Sequence, residues 1–162
     1  MAYTVLVAVP FSAWSQQDNA FLKKKLNKYG MGSYILTGSN PPHKNDLAVI
    51  IDKSDLVLVI YSSEAFNSEL ISEVIGEATK QRKHTIIIKE LGVPLRGRVT
   101  GVDIIDYDAN RPEQAISTLI TLASRIKVNQ EKNSGATIAK WAIGLGLAAG
   151  LVYLLYKLMT DR

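Results

Sequence analysis

Two apolar runs, at residues 55–61 and 85–89, constrain the fold of this chain more than any other feature. Runs of this length with almost no polar interruption are typical of strands that are covered on both faces, as in parallel sheets. Between them, residues 63–82 carry an apolar side chain every four positions, which predicts an amphipathic helix: Phe66, Leu70, Val74 and Ala78. A strand, a helix and a second strand in this order predict a βαβ unit.

The rest of the N-terminal part continues the same alternation. Shorter apolar runs predict strands at residues 4–9, 33–37 and 102–107. Helical spacing predicts a first helix through Leu22, Leu26 and Tyr29. A second, short predicted helix buries Leu47, Ile50 and Ile51 and is capped by Asn45 or Asp46. A last predicted helix starts at residues 110–113. The predicted fold class is therefore α/β, a flavodoxin-like, doubly wound parallel sheet of five strands, with one C-terminal transmembrane helix in addition.

The length of 162 residues suffices for one domain and a short appendage. We expect an α/β domain at residues 1–126, a polar linker at 127–136, a transmembrane helix at 137–159 and a short tail at 160–162. Residues 1–126 carry 14 Lys and Arg against 13 Asp and Glu (net +1), and residues 127–162 carry 5 against 2 (net +3). The positive charge is concentrated near the predicted helix, which favours a lipid surface over nucleic acid as the partner.

The predicted anchor is a stretch of sixteen residues without a charge, from Trp141 to Tyr156, between Lys140 and Lys157. Such a helix spans about 24 Å, and flanking lysines can extend to the lipid–water interface. The alternative is a buried helix of a soluble protein. The N-terminus lacks a secretory leader pattern and basic residues precede the stretch, so we expect a single-pass membrane protein with its N-terminal domain in the cytoplasm.

Small residues recur every four positions along the predicted anchor, at Ala142, Gly146 and Gly150. A stripe of this kind lets two transmembrane helices approach closely, which favours a homo-oligomer. The alternative is that these glycines have no role in association and are simply tolerated in a helix surrounded by lipid.

Composition excludes several classes of site. The chain has no cysteine, which rules out disulfides and thiolate chemistry, and its two histidines, His43 and His84, are too scattered for a metal cage, so no metal is expected. No basic stripe with interleaved aromatics indicates nucleic-acid binding. No glycine-rich phosphate loop follows the first predicted strand, which argues against a dinucleotide fold or a nucleoside triphosphatase.

Several strings resemble the Toll/interleukin-1 receptor (TIR) domain family. The first strand followed by Phe11 and Ser12, and then by Asp18, Phe21 and residues 23–26, is similar to the opening of that family. Residues 55–63 followed by residues 68–73 are similar to a later strand and the helix start after it. Two positions depart from the family, since Glu69 stands in place of Trp and Leu70 in place of Cys or Val, and the loop at 38–43 lacks the usual pattern.

The resemblance implies that the domain hydrolyses or cyclises NAD at the nicotinamide N-glycosidic bond, with Glu73 as the catalytic residue because it matches the family glutamate in register from Ser68. NAD would be the substrate, and no cofactor is implied. One carboxylate near the ribose can stabilise an oxocarbenium-like transition state. Glu69 and Glu77 lie one turn to either side, and a solvated polar stripe is the alternative for all three glutamates.

Substrate-binding candidates lie where strands end, because ligands of such sheets bind outside the carboxyl ends of the strands. After the first strand these are Phe11, Ser12 and Trp14, whose aromatic rings could stack on a base or could simply cover the sheet. His43 and Ser62 follow the second and third strands, and His43 is also explained as an ordinary loop residue.

Two other functions stay open. The segment at residues 73–78 resembles the Glu-x-Gly-x-Ala segment of nucleoside 2-deoxyribosyltransferase-like proteins with one additional residue, which implies a related N-glycosidic enzyme. A tail-anchored, TIR-like adaptor that acts by homotypic assembly is the non-enzymatic alternative.

Overall fold

The computed structural model describes residues 3–10, 16–28, 31–38, 41–97 and 99–108. Along the chain these residues form β1 (Tyr3–Val9), α1 (Gln16–Lys28), β2 (Met31–Thr37), α2 (Lys44–Asp52), β3 (Leu56–Tyr61), a 3-10 helix (Ser63–Asn67), α3 (Glu69–Lys80), β4 (Thr85–Glu90) and β5 (Asp103–Tyr107). Strands and helices alternate up to β4, as the apolar pattern of the sequence predicts.

The described strands form one five-stranded sheet in the order β2-β1-β3-β4-β5, and every neighbouring pair is parallel. This is the strand order of flavodoxin-like folds, in which the direction of winding changes between the first and third strands. The predicted five-stranded parallel sheet is therefore confirmed. The carboxyl ends of β1, β2 and β3 meet at one edge of the sheet.

The core lies on both faces of the sheet. All six residues of β3 are buried, although successive side chains of a strand point to opposite faces. On one face, residues of β1, β3 and β4 share a hydrophobic cluster with buried residues of α2 and α3, including Leu47, Ile71 and Val74. Leu22 and Leu26 of α1 are also buried, and α1 packs beside β2. Two covered faces explain why the strands are apolar at consecutive positions.

The prediction of one continuous helix at residues 63–82 is wrong, because the chain is extended at Ser68, with φ −84° and ψ 118°. Ser68 separates the 3-10 helix from α3, and its Oγ accepts a hydrogen bond from the N–H of Ile71 at 3.3 Å. A serine that caps a new helix competes with continuation of the preceding one. The four-residue repeat misled because Phe66, its first member, is 37% exposed and does not belong to the buried face of α3.

The expected cap of α2 is also corrected. The helix begins at Lys44, so that Asn45 and Asp46 lie inside its first turn and His43 is the N-cap residue, without a side-chain hydrogen bond to the helix. Pro41 and Pro42 precede it, and a residue before proline is biased towards extended backbone, which delays the helix until the prolines have passed. Leu47 and Ile51 are buried as expected, whereas Ile50 is only partly buried.

The connection between β4 and β5 contains no helix among its described residues, 91–97 and 99–102. It packs apolar side chains against the core cluster instead, at Val93, Leu95, Val99 and Val102. The loop is held by a hydrogen bond from the N–H of Arg96 to Tyr61 Oη at 3.0 Å and by another from Lys89 Nζ to the carbonyl of Val93 at 3.0 Å. A packed loop thus lies against the core cluster at β4, between two parallel strands that a helix usually connects.

The predicted last helix of the domain, the linker, the transmembrane helix and the tail all lie outside the described residues. Within the described part of the chain, no helix is both long enough and apolar enough to cross a bilayer.

Candidate active site at the carboxyl edge of the sheet

A cavity of about 610 Å³ lies at the carboxyl edge of the sheet. Its walls come from the ends of β1 and β2, from the start of α2, and from the segment that follows β3: Pro10, Gly38, Pro41, Pro42, His43, Lys44, Glu64, Ser68, Glu69, Leu70 and Glu73. We call it the carboxyl-edge cavity. It occupies the position where the winding of a flavodoxin-like sheet changes direction, which is where ligands of such folds bind. Its volume lies within the usual range for small-molecule sites.

The cavity brings together two of the residues that the sequence singles out, Glu73 and His43. Glu73 stands in the second turn of α3, is half-buried, and has no hydrogen-bond or ion-pair partner among the described residues. The His43 side chain is exposed, while its carbonyl accepts a hydrogen bond from the N–H of Leu47 at 2.9 Å at the start of α2. A carboxylate held on a helix without a protein partner is available to a ligand.

The three glutamates of α3 differ in their surroundings. Glu69 and Glu73 line the carboxyl-edge cavity, and Glu77 does not. Glu77 Oε1 accepts a hydrogen bond from Gln81 Nε2 at 2.8 Å, and the same Gln81 nitrogen donates to the carbonyl of Ala48 on α2 at 2.9 Å. Glu77 therefore helps to join α3 to α2. This structural role distinguishes it from Glu69 and Glu73, which line the cavity.

Ser62 lies at the end of β3 but is not among the described residues that line the cavity. Its side chain is fully buried, its carbonyl accepts a hydrogen bond from the N–H of Ala65 at 3.0 Å, and its Oγ has no partner among the described residues. The structure thus gives Ser62 a place in the turn after β3. The other candidates, Phe11, Ser12 and Trp14, lie outside the described residues.

The sequence did not single out two charged residues that line the cavity, Lys44 and Glu64. Both are exposed, Lys44 at the first position of α2 and Glu64 in the 3-10 helix. Their closeness to predicted strand ends was the only signal in the sequence. Together with Glu69 and Glu73 they give the cavity three carboxylates and one ammonium group, a lining suited to a ligand with positive charge or many hydroxyl groups.

Glu90 is a further residue that the sequence did not single out, and it acts beside the cavity. It ends β4, is only 9% exposed, and its Oε2 accepts a hydrogen bond from the N–H of Ser63 at 3.1 Å. Ser63 is the first residue of the 3-10 helix that carries Glu64. Glu90 therefore fixes the start of the segment that leads to the cavity. Its signal in the sequence was a carboxylate directly after an apolar run.

The lining favours chemistry by a carboxylate. In the described part of the chain, no three His, Cys, Asp or Glu side chains are grouped closely enough to hold a metal ion. α2 and α3 both begin at the cavity, and the backbone N–H groups of a helix's first turn can donate hydrogen bonds to oxygen atoms of a ligand. One of these groups on α3 is already satisfied by the Ser68 side chain. The arrangement can stabilise a developing cation and orient sugar hydroxyls.

No protein-family model matches the chain, and no curated protein matches it either.

Proposed function

We propose that this chain cleaves the nicotinamide N-glycosidic bond of NAD in the carboxyl-edge cavity, with Glu73 as the catalytic carboxylate. The observation that supports this most is the position of Glu73, a half-buried carboxylate that lines the cavity and has no partner among the described residues. The similarity of residues 55–63 and 68–73 to TIR domains supports the same activity.

The proposed reaction needs little from the protein. The bond between C1′ of the ribose and the nicotinamide nitrogen breaks, and its electron pair remains on nicotinamide, which leaves as a neutral molecule. The oxygen of a water molecule bonds to C1′ and a proton passes to solvent, so that ADP-ribose and nicotinamide are the products. Positive charge develops on the ribose in between, and the Glu73 carboxylate would stabilise it.

We propose further that the domain is anchored to a bilayer by residues 137–159 and becomes active when it clusters. The stripe of Ala142, Gly146 and Gly150 would support self-association within the membrane. Tethering raises the effective concentration of neighbouring domains by roughly a hundredfold or more without any new contact. The anchor therefore supplies a route from assembly to activity.

The test uses the full chain in neutral detergent, incubated with NAD, with 2′-deoxyadenosine, or without substrate. Released bases are separated by chromatography and quantified. The proposal requires nicotinamide to accumulate with time and in proportion to protein. Release of adenine from 2′-deoxyadenosine without release of nicotinamide from NAD would favour a deoxyribosyltransferase-like enzyme. Oligomeric protein that releases neither base would favour the hypothesis of a non-catalytic adaptor.

A further inference from the structure

A second cavity lies at the opposite, amino edge of the sheet and has a different chemistry. It measures about 520 Å³ and is formed where α3 turns into β4 and where the chain enters β5. Its described walls contain cationic and hydroxyl side chains and no carboxylate: Thr79, Arg82, Lys83, His84, Thr100, Gly101 and Val102. We call it the basic cavity. It contrasts with the carboxyl-edge cavity, which three glutamates line.

Arg82 occupies a backbone position that normally belongs to glycine. Its φ is 56°, which no other described non-glycine residue matches with a positive value. The N–H of Arg82 donates to the carbonyl of Thr79 at 3.1 Å and the N–H of Lys83 donates to that of Ala78 at 3.0 Å, so Arg82 is the left-handed residue that ends α3. This conformation costs an L-residue with a side chain about 1–2 kcal/mol.

The side chain of Arg82 makes no hydrogen bond or ion pair to the described residues that offsets this cost. It is exposed, and its guanidinium has no hydrogen-bond or ion-pair partner among the described residues. Glycine would satisfy the turn without strain. Backbone strain of this kind is often found where a side chain serves a ligand.

One neighbour, Lys83, holds further donors in a fixed position, and the other, His84, is paired with a carboxylate. Lys83 Nζ donates to the carbonyl of Asp52 at the end of α2, at 2.8 Å, which leaves two of its three protons for other acceptors. His84 Nε2 lies 3.2 Å from Asp103 Oδ2, and the His84 side chain is only 15% exposed. The basic cavity thus has an unpaired guanidinium at its rim and an ammonium group that is already oriented.

A helix that ends in basic residues has a simpler explanation, because cations stabilise the negative end of the helix dipole. Three of the last four carbonyls of α3 are already satisfied, however. Those of Glu77, Ala78 and Thr79 accept hydrogen bonds from the N–H groups of Gln81, Lys83 and Arg82, at 3.0–3.1 Å. These three carbonyls therefore do not need the side chain of Arg82.

We propose that the basic cavity binds a phosphate-bearing ligand. A guanidinium fork can bind two phosphate oxygens at once, and the neighbouring ammonium adds a second, compact charge. A free phosphate ester and the headgroup of an anionic lipid present the same chemistry. The inference does not depend on the proposed cleavage of NAD, since the two cavities lie at opposite edges of the sheet.

The test measures backbone amide chemical shifts of the full chain in neutral detergent micelles at constant ionic strength. One arm titrates inorganic pyrophosphate, and the other replaces part of the detergent with phosphatidylserine. The variant is Arg82→Gly, which removes the guanidinium. Because glycine is favoured at this backbone position, we expect the variant to keep the fold. The control is Arg96→Gln, which removes the same charge from an exposed residue outside the basic cavity.

We expect the amide resonances of Lys83, Thr100 and Gly101 to shift saturably as the ligand is added. The dissociation constant should rise about tenfold in Arg82→Gly and stay unchanged in Arg96→Gln, in line with the loss of hydrogen bonds to a charged group. A response to pyrophosphate identifies a free phosphate ligand, and a response to phosphatidylserine alone identifies a lipid headgroup. The proposal is overturned if neither pyrophosphate nor phosphatidylserine shifts these resonances. It is also overturned if the affinity falls equally in both variants.

Discussion

Glu73 of α3 and His43, the residue before α2, line the same cavity although α2, β3 and a 3-10 helix separate them along the chain. Parallel strands bring them together, since β1, β2 and β3 all end at this edge. Gln81 joins α2 and α3 through its hydrogen bonds to the carbonyl of Ala48 and to the side chain of Glu77. The relative position of the two side chains therefore depends on the packing of α2 against α3.

The Ser68 cap should contribute measurably to stability. Replacing Ser68 with Ala leaves the N–H of Ile71 without its acceptor, so we expect the free energy of unfolding to fall by about 1 kcal/mol. Asp at this position keeps an acceptor and should restore most of the loss. Urea denaturation measures both variants.

Ser72→Ala is the matched control for the cap, because Ser72 is exposed inside the same helix. Its effect should stay within about 0.5 kcal/mol. Equal effects of Ser68→Ala and Ser72→Ala would show that the cap contributes nothing.

Glu90 should matter more for stability than an exposed glutamate nearby. Glu90→Ala removes the carboxylate that accepts from the N–H of Ser63, and we expect a loss of about 1–3 kcal/mol in the free energy of unfolding. Glu64→Ala, at an exposed position of the 3-10 helix, should change the free energy of unfolding by less than about 0.5 kcal/mol. Thermal and urea denaturation compare the two, and a Glu90→Ala variant as stable as the unmodified protein would contradict the role assigned to this residue.

Arg82→Gly should leave the protein as stable as before or raise the free energy of unfolding by up to about 1 kcal/mol, because glycine adopts the observed φ without strain. Arg96 is the natural comparison, since its φ is not positive. There the same change to Gly should lower the free energy of unfolding by about 0.5–1 kcal/mol. Two losses of similar size would mean that the left-handed turn is not strained.

The sheet could be predicted from the sequence because strands covered on both faces must be apolar at consecutive positions. Leu56–Tyr61 and Thr85–Glu90 are the clearest cases, and both were predicted to within one residue. The break at Ser68 could not be predicted from periodicity, since the exposed Phe66 continues the four-residue repeat of α3 by coincidence. Only the extended backbone at Ser68 shows where one helix ends and the next begins.

The site was predictable to the extent that it follows from strand ends. His43 was proposed on that basis, Glu73 was proposed from the resemblance to a known family, and both line one cavity. Ser62 was proposed for the same reason as His43, but its side chain is buried in the turn. Glu90 could not be assigned from the sequence, because its contact with Ser63 depends on the pairing of β3 with β4. Contacts between neighbouring strand ends require the register of the sheet.

The most direct measurement of the central claim is the rate of nicotinamide release from NAD by the full chain and by two matched variants, Glu73→Gln and Glu77→Gln. Both changes remove one carboxylate from α3, but only Glu73 lines the carboxyl-edge cavity. We predict that the rate falls by roughly a hundredfold or more in Glu73→Gln, as expected for the loss of a group that stabilises the transition state, and stays close to the unmodified rate in Glu77→Gln. A Glu73→Gln variant that retains its rate, or an equal fall in both variants, would contradict the assignment.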